Sequence, residues 1–250
     1  MSLVDTHCHI HEADYPLPVD DVFDDARGNG VTHFICVGTS EDSSRRAVAF
    51  ATDYKDTFAV VGVHPHDTKY GYGQIAELAT KTGVVGVGEI GLDYYYEYSS
   101  RETQQKALEA QIDIALQNNL PISFHVRDAF EDFWPIFRNF HGIRGVLHSF
   151  TDSQANLDKG LAEGLCVGIN GISTFTKSDA QQAAFDSIPT DRILFETDAP
   201  FLTPSPFRGK INQPAYLRLV AEYHASRRGL SLDEIADITT TNARSLFTLS

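Results

Sequence analysis

Cysteine is scarce in this 250-residue chain, which has only Cys8, Cys36 and Cys166. The number is odd, the three are far apart, and each lies in an apolar, strand-like run. That argues against a disulfide framework and for buried reduced thiols, as expected of a cytoplasmic protein. Positive charge is also short. Lys and Arg total 20 against 34 Asp and Glu, for a formal net charge of -14. A chain so acidic does not grip nucleic acid through a broad basic surface. A site where bound cations meet phosphates stays open. No run of about 18 apolar residues occurs, so no membrane span is expected. The N-terminus lacks a basic stretch followed by an apolar one, so no signal peptide is expected. There is no internal repeat, no low-complexity segment and no linker. The length suits one large domain, and oligomeric state is not legible.

What the chain does have is a regular alternation. Short apolar runs begin near Leu3, His33, Phe58, Val84, Ile122, Gly145, Cys166 and Arg192, the last reaching Asp198. Helical periodicity fills the intervals, with Ser40 as a cap, a Ser99/Glu102 capping-box pattern and a second such pattern at Ser231/Glu234. Phe130, Phe133, Trp134 and Phe137 share a helix face, to be read as core or as a cofactor box. Alternating βα units imply a parallel sheet, and eight imply an α/β (β/α)8 TIM barrel, with catalytic residues at the C-terminal strand ends. An open doubly wound sheet is the alternative. It needs a Gly-rich phosphate turn after the first strand, and His7-Cys-His9 stands there instead.

His7 and His9 are two apart on a strand, so both imidazoles project to one face. Strand four ends in Glu89, strand five in His125, strand six in His148 and strand eight in Asp198. These six are metal-ligand types at matching positions. They exceed what one catalytic cation needs, so two fit the count, with Glu89 able to bridge them. Mixed nitrogen and oxygen ligation suits Zn, Mn, Fe or Co, and Mg stays among the candidates for the one or two divalent ions. Asp198 is expected to ligate and to take the proton of the attacking water. Pro200 restricts Ala199 to extended backbone, so the strand is expected to persist past Asp198. Glu196, deeper on the same face, would bind a further cation, orient water, or be an inner carboxylate held by a neighbour.

Asp5-Thr-His-Cys-His9, Val61-Gly-Val-His-Pro-His66, Gly88-Glu-Ile-Gly-Leu-Asp-Tyr94, Pro121-Ile-Ser-Phe-His-Val-Arg-Asp-Ala129, His148-Ser-Phe-Thr151, Glu196-Thr-Asp-Ala-Pro200, Arg208-Gly-Lys-Ile-Asn212 and Asn242-Ala together resemble the TatD-family deoxyribonucleases, within the amidohydrolase-like metal-dependent hydrolases. Asp152 departs from the family's usual Gly, which touches a loop and not a ligand. The resemblance implies a (β/α)8 barrel, divalent-metal dependence and hydrolysis of DNA phosphodiesters, often from a strand end. A single strand is the expected preference, since it can thread a narrow mouth. Around the metals, His64, His66, Arg127 and Arg208 are candidate substrate contacts, with Lys210 a further phosphate contact. The tyrosines 94, 95, 96 and 98 would stack on bases or simply pack their loop. A small-molecule hydrolase (lactonase, deaminase or phosphoesterase) could use the same ligands. A barrel that only binds a partner would not need them.

Overall fold

Each short apolar run forms a strand. A computed structural model of the chain describes residues 1–249. The strands are β1 (Leu3–Cys8), β2 (Val31–Val37), β3 (Thr57–Val61), β4 (Val84–Asp93), β5 (Ile122–Arg127), β6 (Gly145–Leu147), β7 (Cys166–Ile169) and β8 (Ile193–Phe195). They form one parallel sheet in the order β1 to β8, nearly closed into a barrel with helices between strands. The expected (β/α)8 architecture is therefore observed.

The helices are α1 (Val19–Gly28), α2 (Glu41–Asp53), α3 (Ile75–Leu78), α4 (Arg101–Gln117), α5 (Phe130–Phe137), α6 (Gln154–Ala162), α7 (Asp179–Ser187), α8 (Leu217–Arg228) and α9 (Leu232–Phe247). Their starts follow local chemistry. Ser40 accepts from Ser43 N–H at 3.1 Å to open α2, and Ser231 with Glu234 forms a full capping box at α9. The cap of α4 is Ser100, which accepts from Thr103 N–H, and not Ser99. Ser99 is buried, its hydroxyl donates to the His66 carbonyl at 2.8 Å and its oxygen already accepts from Lys69 N–H at 3.2 Å, so that oxygen is taken before the helix begins.

Contacts divide the chain into two compact units, Met1–Ile35 with Ser149–Ser250, and Cys36–His148. In the second unit the aromatic face of α5 is core: Phe133 packs edge-on to Phe124 of β5 at 5.2 Å, and both are fully buried. The cofactor-box reading of that face is thereby displaced by packing. In the first unit Phe23 of α1 meets Phe34 of β2 at 4.8 Å. Asn242 of α9 donates to the carbonyls of Thr190 and Ile193, fastening the helix to the start of β8. All three cysteines are buried and unbridged. Among the described residues no helix is long and apolar enough to cross a membrane.

Strand β8 corrects one expectation. It ends at Phe195, and Asp198 adopts φ 58°, a left-handed conformation, so the extended backbone does not persist past the carboxylate. The reason lies in Thr197. Its N–H and hydroxyl are both captured by the buried Asp5 carboxylate, at 2.9 and 2.5 Å. The chain stays beside β1 all the same, because Asp198 N–H donates to His7 O and His9 N–H donates to Ala199 O, each at 2.8 Å.

His224 of α8 is fully buried in the first unit. Ser173 gives its hydroxyl proton to Asn170 O, so it accepts from His224 Nε2 at 2.9 Å. Nδ1 is left with a bare lone pair and no hydrogen-bond partner among the described residues. Burial, and then the charge of Arg228, push the imidazole pKa down to about 3. An unfolded chain protonates histidine near 6.5, so between about 6.5 and 3 the unfolded state binds more protons and stability falls as pH falls. The loss attributable to this residue by pH 4.5 is about 2–3 kcal/mol, at about 1.4 kcal/mol per unit. Urea unfolding at pH 7 and 4.5 should show a smaller acid loss in His224→Phe than in the parent. Equal losses would mean that His224 does not titrate on unfolding.

Candidate metal centre

In the first unit the centre starts from β1. Period-two geometry places Asp5, His7 and His9 on one face, and all three are buried. The two imidazoles meet edge to face at 5.0 Å. Asp198 Oδ1 lies 3.3 Å from His9 Nε2 and 3.8 Å from His7 Nε2. The structure thus brings His7, His9 and Asp198 together. Asp5 sits beneath them. Burial lifts its carboxyl to about 7, although hydrogen bonds from Thr197 and His7 N–H hold it down in part.

The loop after β8 is fixed by Asn212, which is fully buried. Its side-chain amide donates to the carbonyls of Thr197 (2.8 Å) and Phe201 (2.5 Å), on either side of Asp198. Glu196 is buried and accepts from Ser149 N–H at 2.7 Å and from Asn170 at 3.4 Å. Arg208 lies with its guanidinium 3.7 Å over the Phe175 ring and donates to Thr203 O at 2.8 Å.

In the second unit the centre is built on β4. Glu89 and Asp93 are four residues apart, an even spacing, so they share a strand face. Glu89 Oε1 meets His125 Nδ1 at 2.7 Å, with His64 Nε2 at 3.6 Å and His148 Nε2 at 3.7 Å. Asp93 Oδ2 lies 3.0 Å from both His125 Nε2 and His66 Nε2. His125 is therefore held at both ring nitrogens by carboxylates. Burial works against its charge, yet the hydrogen bonds to Asp93 and Glu89 outweigh that and lift it to about 9. Burial likewise opposes the charge of Asp93, but hydrogen bonds from His125 and His66 drive its pKa well down. His64 goes the other way: burial, and then the neighbouring His125 charge, push it well below 6.5.

These donors fit a divalent cation. Glu89, His125 and His148 present ligand atoms that all lie within 4.8 Å of one another, and so do His64, Asp93 and His125. Two buried carboxylates closing on one imidazole make surroundings that favour positive charge. Imidazole with carboxylate is also the donor mixture of hydrolytic metal sites.

Arg127, at the end of β5, is exposed and lies 3.9 Å over the Tyr95 ring. Sequence reasoning passed over Asp5, Thr197 and Asn212 in the first unit and Asp93 in the second. Asp93 and Asp5 carried a signal, since each shares a strand face with a predicted ligand. Asn212 stood only as the end of the Arg208–Asn212 family motif, and its hold on the carbonyls flanking Asp198 comes from the folded loop.

Asp93 has a further duty, accepting from the N–H groups of Tyr95 and Tyr96 at 3.0 and 3.1 Å. Replacing it by Asn removes the charge that sustains the His125 imidazolium. In metal-free protein followed by histidine NMR, His125 should titrate near 9 in the parent. It should titrate at least about one unit lower in Asp93→Asn, since about 1.4 kcal/mol per unit is the scale of one lost charge-assisted bond. An unchanged His125 titration would show that Asp93 does not hold the ring.

The chain has relatives in sequence and in fold. The family model of TatD-related DNases matches residues 4–248. The uncharacterized metal-dependent hydrolase YabD of Bacillus subtilis is 35% identical over 254 residues, covering 99% of this chain and all of that one. The 3'-5' ssDNA/RNA exonuclease TatD of Pectobacterium parmentieri is 36% identical over 237 residues, covering 90% and 91% of the two chains. The crystal structure of YJJV, a TatD homologue from Escherichia coli, superposes with a TM-score of 0.91 at 26% identity, covering 99% of this chain and 98% of that one. With its barrel, its imidazole and carboxylate clusters and these relatives, the chain belongs to the TatD family of metal-dependent hydrolases.

Proposed function

We propose that the protein is a divalent-metal-dependent deoxyribonuclease. It would cleave DNA phosphodiester bonds from a strand end, preferring single strands, as one catalytic domain in the cytoplasm. The observation that carries this reading is the buried donor cluster on β4 and β5 in a TatD-family chain. Family relatives named as single-strand exonucleases support the choice of substrate. His7, His9, Glu89, His125, His148 and Asp198 are the proposed ligands of one or two ions, of Zn, Mn or Mg type. When bound, such ions acidify a water and neutralise phosphate charge.

The chain's own residues do the rest. Asp198 is the proposed base, accepting the proton of the attacking water. Its left-handed backbone, the ladder bonds on either side and the Asn212 clamp hold it at one position. His64 Nδ1 accepts the His66 N–H at 3.1 Å, so the neutral ring carries its proton on Nε2. That proton is available to a phosphate oxygen. Arg127, His66 and Arg208 are proposed to contact substrate, and Glu196 is held ready for a water or a further cation. The net charge of -14 is the one feature that favours a small-molecule ester or lactone instead.

End-labelled single-stranded and duplex DNA, incubated with divalent metals and compared with a lactone panel, separate the readings. Faster release from single strands is expected, and activity confined to the lactones would overturn the nuclease. In the same assay Asp198→Asn keeps an oxygen for a cation but cannot accept a proton. With metal content matched, turnover should fall about 10²-fold or more, the scale of a lost general base. Near-parental turnover would remove Asp198 from that role.

A further inference from the structure

Four tyrosines, Tyr94, Tyr95, Tyr96 and, past Glu97, Tyr98, follow β4, and the structure divides them. Tyr94 is packed down: its hydroxyl donates to Asp132 at 2.8 Å and accepts from Gln105 at 2.8 Å. Tyr95, Tyr96 and Tyr98 are not, and they expose 57, 47 and 58% of their surface. Leaving three large rings in water forgoes the burial that usually holds aromatic side chains inside.

The three rings are ordered against each other. Tyr96 and Tyr98 are parallel within 10° at 5.4 Å, and Tyr95 stands edge-on to Tyr96 at 4.7 Å. Arg127 caps the row, 3.9 Å over Tyr95 and 5.1 Å over Tyr96. Asp93 fixes the turn beneath through two backbone hydrogen bonds. Glu97, the acidic residue within the row, is neutralised by a two-pronged bond from Arg101. The row adjoins the donor cluster. The His66 ring contacts Tyr98 at 4.8 Å and Tyr96 at 5.5 Å, while its Nε2 lies 3.0 Å from Asp93.

We propose that Tyr95, Tyr96 and Tyr98, with Arg127, form a ledge on which bases of a single-stranded nucleic acid stack beside the reacting phosphodiester. The inference rests on the nuclease reading and names the part of the site that holds the strand. Charge gives the physical reason. A chain with net charge -14 gains little from its surface field toward a polyanion. Stacking on aromatic faces needs no basic surface and tolerates any base, and it is available only to unpaired bases. One guanidinium over the row supplies a cation where the backbone passes. The ledge therefore sets the preference for single strands, whereas the donor cluster sets the chemistry.

The test compares two substrates on the metal-loaded enzyme: a labelled oligothymidylate of about ten nucleotides, within the usual site sizes of single-strand binders, and bis(4-nitrophenyl) phosphate, which has no base to stack. The Tyr96→Ala/Tyr98→Ala variant should lose at least about tenfold more kcat/KM on the oligonucleotide than on the small diester, mainly through KM. Tyr96→Phe/Tyr98→Phe should retain most of it, since the ring faces remain. Abasic residues at the terminal positions should cost the parent a similar factor and cost the alanine variant little more. Anisotropy of the labelled strand gives binding independently of turnover. Equal losses on both substrates, or a parent indifferent to abasic residues, would overturn the ledge while leaving the nuclease intact. A parent that hydrolyses the small diester but neither cleaves nor binds the oligonucleotide would overturn both.

Discussion

Buried negative charge closing on imidazole is the interaction on which the donor cluster of the second unit depends. Glu89 and Asp93 lie on one face of β4 with almost no solvent, and both reach His125, one to each ring nitrogen. Two carboxylates so placed are costly without a positive partner. The imidazolium lifted to about 9 is one such partner, and a divalent ion is a stronger one. The same carboxylate that holds His125 also accepts from His66 and from the turn that carries the exposed tyrosines. The donor cluster and the turn of exposed tyrosines thus hang from one residue of the second unit.

The first unit solves the matching problem differently. Asp198 stands on a loop, where a side chain is ordinarily free to swing. Here Asp5 takes both donors of Thr197, and Asn212 ties carbonyls before and after Asp198. The left-handed backbone at Asp198 is thereby over-determined by its neighbours, the usual condition for keeping such a conformation in a non-glycine residue.

Much of this was legible in the sequence because it rests on period and position. Eight apolar runs with helical intervals give the parallel sheet, and the candidate histidines and carboxylates stand in or just past its strands. Asp93 was equally legible by its even spacing from Glu89, yet it was passed over as part of a motif. What could not be read was where β8 stops, because its end is set by Asp5, almost two hundred residues away in sequence. Proline at position 200 suggested extended backbone, and long-range capture of Thr197 overrode that local preference. The α4 cap shifted by one residue for a similar reason: Ser99 is claimed by the His66 turn. Local rules failed where a distant hydrogen bond overrode them.

The central claim is that these clusters are built around cations, and uptake of metal by stripped protein tests it most directly. Chelator-treated protein titrated with Zn or Mn, with bound metal counted per chain and thermal unfolding followed in parallel, should take up one or two ions. The melting temperature should rise with them, because a ligand that binds only the folded state stabilises it. Uptake should be lost or reduced to one ion when Glu89 is replaced by Ala. A stripped protein that takes up no divalent ion, or whose melting temperature ignores it, would contradict the claim.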